Sequence, residues 1–457
     1  MASRLRLAFY GDDFTGSTDA LEVLAFAGVR CALFLTPPTP EKLSRFEDLE
    51  AVGVAGDSRA MTPEEMQQHL PGVLEGLAAL GAPILHYKVC STFDSGTAIG
   101  SIGCVMDIAR ARFPSEWLPI VAGTPRLGRW CLFGHLFARS GTDGQVYRLD
   151  RHPIMSVHPV TPMDESELAR HLGKQTALAI GSLPFDHYDA GPEAVQAHLQ
   201  GLRARGVEAV VLDAGHEQHM THVGALLSSA AARRKPLFIV GSSGVEYALT
   251  QWWERSEGPR AIPDYDRFDP VDRVLAVSGS ASRLSAQQIA AAVEAGFAEL
   301  RVDAAALVGP RGEQAAAELV AASRRLLEAG GSVILHTALG PDDSRIGAML
   351  GSLQAAGLTP QVARHEGGRM LGMRLGAVVR DILRAVPLRR LLLSGGDTSS
   401  QVIKVLGPDA LVVAARLAPG APLCRFAQGN FDGLEVALKG GQMGGIDFFD
   451  RARQGSA

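Results

Sequence analysis

Two adjacent carboxylates, Asp12 and Asp13, stand where an apolar run ends and a helical pattern begins, in FYGDDFTGSTDALEVLAFAG. Leu21, Leu24 and Ala25 supply the helical period, so the pair projects from a strand's carboxyl end, the edge at which open α/β sheets bind ligands. Gly11 and Gly16 permit tight turning, and Thr15, Ser17 or Thr18 could cap the helix. The plain alternative is that both aspartates only cap the turn. Crowding two carboxylates is costly without a cation or hydroxyl partners, however, and this favours hydroxyl binding or proton abstraction.

A second strand-to-loop passage, PILHYKVCSTFDSGTAIG, delivers Lys88, Ser91, Thr92 and Asp94 to one polar pocket. A ligand carboxylate could pair with Lys88 while Ser91 and Thr92 donate hydrogen bonds, as a small polyol acid requires. Taken alone, Lys88 could equally snorkel to solvent. Three further turns lie in the second half. RRLLLSGGDTSSQVIKVLG places Gly395 and Gly396 before Asp397, Thr398, Ser399 and Ser400 at a helix start, where free N–H groups favour phosphate and Asp397 could hold Mg²⁺ directly or through water. Ser278, Ser280 and Ser282 surround Gly279, and LKGGQMGGIDFFDRA supplies Gly440, Gly441, Gly444 and Gly445. Each turn alone reads as ordinary helix punctuation; together they suggest a nucleotide cradle.

The elements that must position these residues are short apolar runs alternating with helical segments. Leu5–Tyr10, Ala51–Ala55, Ile84–Val89, Leu118–Val121, Ala177–Ile180, Ala209–Leu212 and Leu237–Val240 read as strands, and the rhythm predicts parallel sheets with crossover helices. It stops in the polar, proline-bearing stretch 254–271 and restarts with Val274–Val277, Ser332–His336, Leu391–Leu393 and Leu411–Ala414, with helices over Glu313–Glu328 and Met370–Leu383. The expected fold class is therefore α/β with two domains, 1–253 and 272–457, each a largely parallel sheet flanked by helices, and an active-site cleft between them. The segment 123–162 shows neither period and is marked as functional or mobile.

At 457 residues the chain has room for two cores. Its 44 basic and 49 acidic residues are scattered, with no basic run to follow a phosphate backbone, so nucleic acid is excluded as a partner. Five cysteines without CxxC spacing argue for reduced thiols, and no targeting segment or run of roughly 20 apolar residues is visible, so a cytoplasmic protein off the membrane is expected. A homodimer is admissible. No GxxxxGK[ST] loop, GxGxxG fingerprint or GxSxG elbow is present. GSSGVEYAL at Gly241 reads as a helix cap or a phosphate turn, and His216, His219 and His222 share no helical face and read as surface histidines.

The order GDDFTGSTDA, KVCSTFDS, SGSAS, SGGDTSS and GGQMGG-x-DFF resembles the four-carbon acid sugar kinase family over nearly the whole chain. The resemblance implies an N-terminal domain that binds a sugar acid and a C-terminal domain that binds ATP. It assigns Asp12, Asp13, Lys88, Ser91 and Thr92 to the substrate, and Asp94 of the same pocket is expected there too; Asp12 or Asp13 is expected to accept the hydroxyl proton and Lys88 to anchor the acid. Ser280, Ser282, Gly395, Gly396, Asp397, Thr398, Gly441 and Gly444 fall to the nucleotide, and Asp397 to Mg²⁺. Many members have STxRG where this chain has STFDSG, so Asp94 replaces an arginine. That departure resembles the branch acting on 3-oxo-tetronate; threonate, erythronate and the branched 3-oxo-isoapionate are the alternatives, as is a non-catalytic sugar-acid-binding protein. A two-domain dehydrogenase is opposed by the missing fingerprint.

Overall fold

A computed structural model describes residues 5–141, 143–158, 160–233 and 236–455. The chain divides into two compact units, one comprising residues up to Ala32 with Thr36–Ile262, the other Leu33–Leu35 with Pro263–Ala457. Each is α/β.

The strands in the first part of the chain are β1 (Leu7–Gly11), β2 (Cys31–Phe34), β3 (Ala51–Ala55), β4 (Ile84–Lys88), β5 (Leu118–Val121), β6 (Arg129–Leu132), β7 (His135–Arg139), β8 (Val146–Arg148), β9 (Ile180–Leu183), β10 (Ala209–Leu212) and β11 (Leu237–Gly241). Within the first unit a parallel sheet runs β3-β1-β4-β11-β5-β10-β9. Helices cover both faces, so the central strands β1, β3, β4 and β11 are buried at every position, and β4 alone among them carries charged or imidazole side chains, His86 and Lys88. The strand expected at Ala177–Ile180 begins three residues later, since Leu178 N–H is taken by the Thr176 hydroxyl in a local turn instead of a ladder.

The unperiodic segment 123–162 holds a small antiparallel sheet, β6-β7-β8, and short 3₁₀ turns. Its strands are three to five residues long, too short to display a period. Buried Asp213 fixes the β6–β7 turn by accepting from the N–H groups of Phe133 and Gly134 at 2.5 and 3.0 Å. The helix Gly244–Glu257 runs through the first four positions of the stretch expected to be a linker, and 258–274 then contains neither helix nor strand.

The second unit adds β12 (Leu275–Ser278), β13 (Ala298–Arg301), β14 (Val333–His336), β15 (Arg390–Ser394), β16 (Pro408–Ala418), β17 (Ala421–Gly429) and β18 (Glu435–Lys439). Strands β13-β14-β12-β15-β18 are parallel, and β17 and β16 extend the sheet antiparallel. The run expected at Leu411–Ala414 is thus the middle of an eleven-residue hairpin strand. The helix expected at Met370–Leu383 begins at Pro360, where Thr359 accepts from Val362 N–H and proline occupies the first turn. The core gathers Ile289 and Ala292 with Leu392, Ala437, Phe448 and Phe449. Among the described residues no helix is long and apolar enough to cross a membrane.

Candidate active site

In the first unit the chain leaves β1 toward β3 and leaves β4 toward β5, so the strand order reverses between β1 and β4. Ligand crevices of open α/β sheets form at such a switch point, beyond the strands' carboxyl ends. Asp12, Asp13 and Lys88 lie there. Asp13, not Thr15, Ser17 or Thr18, caps the helix Phe14–Phe26: its Oδ1 accepts from Gly16 N–H at 2.6 Å, while the three hydroxyl residues lie inside the helix. Its Oδ2 meets Arg59 at 3.0 Å, so capping and a charged contact coexist in one side chain.

Arg59 is the residue that sequence reasoning missed. Its Nη2 and Nε lie 3.2 and 3.3 Å from the two oxygens of Asp12, forking that carboxylate. It follows β3 in AGDSRA, and the edge rule that found Asp12 would have found it had β3 been placed beside β1. Burial disfavours the Arg59 charge, but Asp12, Asp13, Cys90 and Asp94 outweigh it and hold the guanidinium well above its usual range. Lys88, also raised, is disfavoured by burial and supported by Asp19, Asp13, Cys90 and Asp12. Its Nζ stands 3.4 Å from Asp19, and only 3% of the side chain is exposed against 29% for Arg59. A Cβ at Gly16 would fall 2.8 Å from that Nζ, so glycine is required for the lysine to pass. Burial pushes the Asp12 carboxyl up to about 6; Arg59 lowers it, Asp13 raises it and Lys88 lowers it.

The loop after β4 completes the cluster. Thr92 donates to Asp94 Oδ1 at 2.5 Å and Thr161, from the irregular segment, to Asp94 Oδ2 at 3.3 Å. Ser91 is partly exposed and makes no side-chain hydrogen bond among the described residues. Between Thr92 and Asp94, fully buried Phe93 adopts a left-handed φ of 52°. Ser95 holds that turn by donating to Phe93 O at 3.0 Å while contacting His171 Nε2 at 2.9 Å and accepting from Gln175 at 2.9 Å. Strain at a non-glycine residue persists only where the surroundings over-determine it.

In the second unit the order reverses between β12 and β15, and the loops after those strands are SGSAS and SGGDTSS. They touch: a Cβ at Gly279 would fall 1.9 Å from Thr398 Oγ1, and one at Gly395, whose φ is 108°, would lie 3.1 Å from Ser280 N. The third turn joins them, because a Cβ at Gly441 would fall 2.4 Å from Ser280 Oγ, and Ser282 Oγ donates to Gly441 O at 2.5 Å. Ser280, Ser282, Gly395, Gly396, Thr398 and Gly441 are therefore brought together. Gly444 lies farther along the same turn.

The helix Gly396–Leu406 starts here with Asp397 exposed in its first turn. The hydroxyls of Ser278, Ser399 and Ser400 are buried without a partner among the described residues, a donor surplus that suits a polyphosphate. No group of three or more metal-ligating side chains occurs among the described residues. A single carboxylate beside phosphate is nevertheless the usual setting of Mg²⁺, so the residues fit an Mg²⁺–nucleotide. Buried Lys439, whose ammonium burial pulls down to about 8, ends β18 behind these turns.

Two other expectations resolve simply. Ser242 Oγ accepts from Gly244 N–H at 3.0 Å where the helix after β11 begins, while the N-cap residue Ser243 makes no side-chain cap bond. His219 is buried rather than on the surface: its ring lies 3.5 Å from that of His216 and stacks on Phe185 at 5.2 Å, because His216 precedes its helix and Phe185, with the short helix Asp186–Asp189, packs over it. Burial, then the neighbouring His216 charge, pulls its pKa down to about 4.

Residues 7–249 match the model of a sugar-binding N-terminal domain and residues 275–449 that of a nucleotide-binding C-terminal domain. The chain belongs to the four-carbon acid sugar kinase family. It is 45% identical to a 3-oxo-isoapionate kinase of Paraburkholderia graminis, over 99% of this chain and 94% of the relative. It is 33% identical to a 3-oxo-tetronate kinase of Methylobacterium radiotolerans, over 98% of each. A solved structure from Haemophilus influenzae, 23% identical, has the same fold with a TM-score of 0.70 over 98% of this chain and 99% of that one. The four-carbon acid sugar kinase family transfers a phosphoryl group to an alcohol, and this chain is a carbohydrate kinase acting on a sugar acid.

Proposed function

We infer that the protein transfers the γ-phosphoryl group of ATP, with Mg²⁺, to a hydroxyl of a 3-oxo sugar acid held on the first unit. The observation that carries this reading is the edge cluster of Asp12, Asp13, Arg59 and Lys88, a set of carboxylates and cations gathered at one switch point. Arg59, the more exposed cation, takes the substrate carboxylate in the planar geometry a guanidinium favours, and Lys88 supports it from behind. Asp12, with a pKa near neutrality, accepts the proton of the attacking hydroxyl. Asp13 holds the helix start and orients Arg59. Asp94 receives further substrate hydroxyls, and Ser91 and Thr92 line the same loop.

Phosphoryl transfer asks little covalent chemistry of a protein; alignment, charge neutralisation and exclusion of water suffice. The nucleotide phosphates rest on Ser280, Ser282 and the Gly395–Thr398 and Gly441–Gly444 turns, and Asp397 holds Mg²⁺. When bound, the cation neutralises charge on the transferring phosphate. The 45% identity to a 3-oxo-isoapionate kinase supports the branched acid ahead of the linear 3-oxo-tetronate. Reduced thiols at all five cysteines suit a cytoplasmic site of action. An assay coupling ADP release to each acid tests the reading: turnover of a 3-oxo acid is expected, and none with any sugar acid would refute it.

A further inference from the structure

The turn after β18 captures its own carbonyls. Lys439 Nζ donates to Gly440 O at 3.1 Å, and Ser282 and Ser285 donate to Gly441 O at 2.5 and 3.2 Å. Gln288 Nε2 donates to Met443 O at 3.0 Å, Gly444 O at 3.3 Å and Gly445 O at 2.8 Å. Three carbonyl oxygens facing one amide fix which end of that amide carries the hydrogens. In a trans peptide the N–H points opposite the C=O, so a carbonyl held inward leaves the next N–H facing outward. Those of Gly441, Gln442, Gly444, Gly445 and Ile446 donate to no other described protein group. Gln442, Gly445 and Ile446 are exposed, and Gly444 has a φ of 79°, the left-handed step that curls successive N–H groups into an anion-binding concavity.

Gln288 itself is fully buried on the helix Arg283–Glu294, beside core residues Ile289 and Ala292, and its amide oxygen has no partner among the described residues. A residue serving only to pack the core would not carry that cost. We propose that Gln288 is a positioning residue for the nucleotide polyphosphate: by holding the carbonyls of Met443–Gly445 inward, it keeps the N–H groups of Gly444, Gly445 and Ile446 aimed at phosphate oxygens. This rests on the nucleotide assignment made above and names the part of the ligand that the turn takes.

The test uses the full chain, with tripolyphosphate binding measured by calorimetry and kinetics measured with ATP and with the acid varied in turn. Gln288→Met keeps the volume and removes the donors. It is expected to raise the tripolyphosphate Kd and the KM for ATP at least tenfold while the KM for the acid stays within twofold. Gln288→Asn, with the amide on a shorter stem, gives an intermediate loss and serves where the methionine variant fails to fold. A lower Tm with unchanged Kd and KM for ATP would assign Gln288 to the core alone and overturn the proposal. Wild-type protein that binds neither ATP nor tripolyphosphate overturns it as well. Tripolyphosphate binding that depends on Gln288, in a protein that phosphorylates no sugar acid, upholds the positioning role and sinks the kinase reading instead.

Discussion

The two switch-point sites are made of different materials. At β1/β4 the proposed recognition is written in charged side chains, Asp12, Asp13, Asp19 and Asp94 against Arg59 and Lys88, packed so closely that burial and neighbours shift the titration of Asp12, Arg59 and Lys88. At β12/β15 it is written in backbone, with glycines that let three turns touch and hydroxyls that line them. A side-chain site can discriminate among acids by charge and reach. A backbone site reads phosphate irrespective of what carries it. The difference teaches where specificity can reside, and it can be broken at chosen points.

The largest effect is expected at Asp12. Asp12→Asn removes the proposed base and should lower kcat by about 10²- to 10⁴-fold, with the KM for ATP unchanged. In the wild type kcat/KM should rise with pH through about 6 as Asp12 ionises, and that limb should vanish in the variant. A persisting limb would move the base elsewhere. Next comes Arg59→Met, which should raise the KM for the acid by roughly 10- to 100-fold, as loss of a charge-assisted hydrogen bond implies. Because Arg59 lowers the Asp12 pKa, its removal should also carry the pH limb to higher values; a limb that stays in place would separate the two residues.

Gly279→Ala tests the other material. A Cβ 1.9 Å from Thr398 Oγ1 must push the first two turns apart, so the KM for ATP should rise about tenfold and the KM for the acid should not change. A matching change in both constants would mean the two sites are not separable in this way. The smallest effect concerns stability. His219 is held neutral, with a folded pKa near 4 below its unfolded value of about 6.5, so its contribution is complete above pH 6.5 and lost as the pH falls toward 4. His219→Phe should flatten the fall in Tm between pH 6.5 and 4 by a few degrees at most. An unchanged slope would place the acid sensitivity on other groups.

Much of this was legible in the residues. Fully buried strands such as Leu237–Gly241 announce themselves as unbroken apolar runs, and their ends lead directly to the site. What stayed hidden did so for local reasons. The strand Ala298–Arg301 carries Glu299 and Arg301 at a half-exposed edge, and the strands of 123–162 are too short for any period. Arg59 lies in a polar turn whose neighbour along the sheet comes from a sequence distance of 47 residues. Asp13 could be read as a cap or as a functional group from its spacing, and the structure shows it capping the helix while also pairing with Arg59. Gln288, in an alanine- and glutamine-rich helix, carries no signal at all until the turn it holds is seen folded against it.

The left-handed Phe93 beside the proposed acid site has a kinetic consequence. Its unfavourable φ is enforced by Ser95, His171 and Gln175 before any ligand arrives, so the loop's conformational cost falls on folding and not on association. The acid meets a formed surface. Its capture rate should then follow the encounter frequency, with the strong ionic-strength dependence of a small anion steered toward Arg59, and residence time alone should separate a good acid from a poor one.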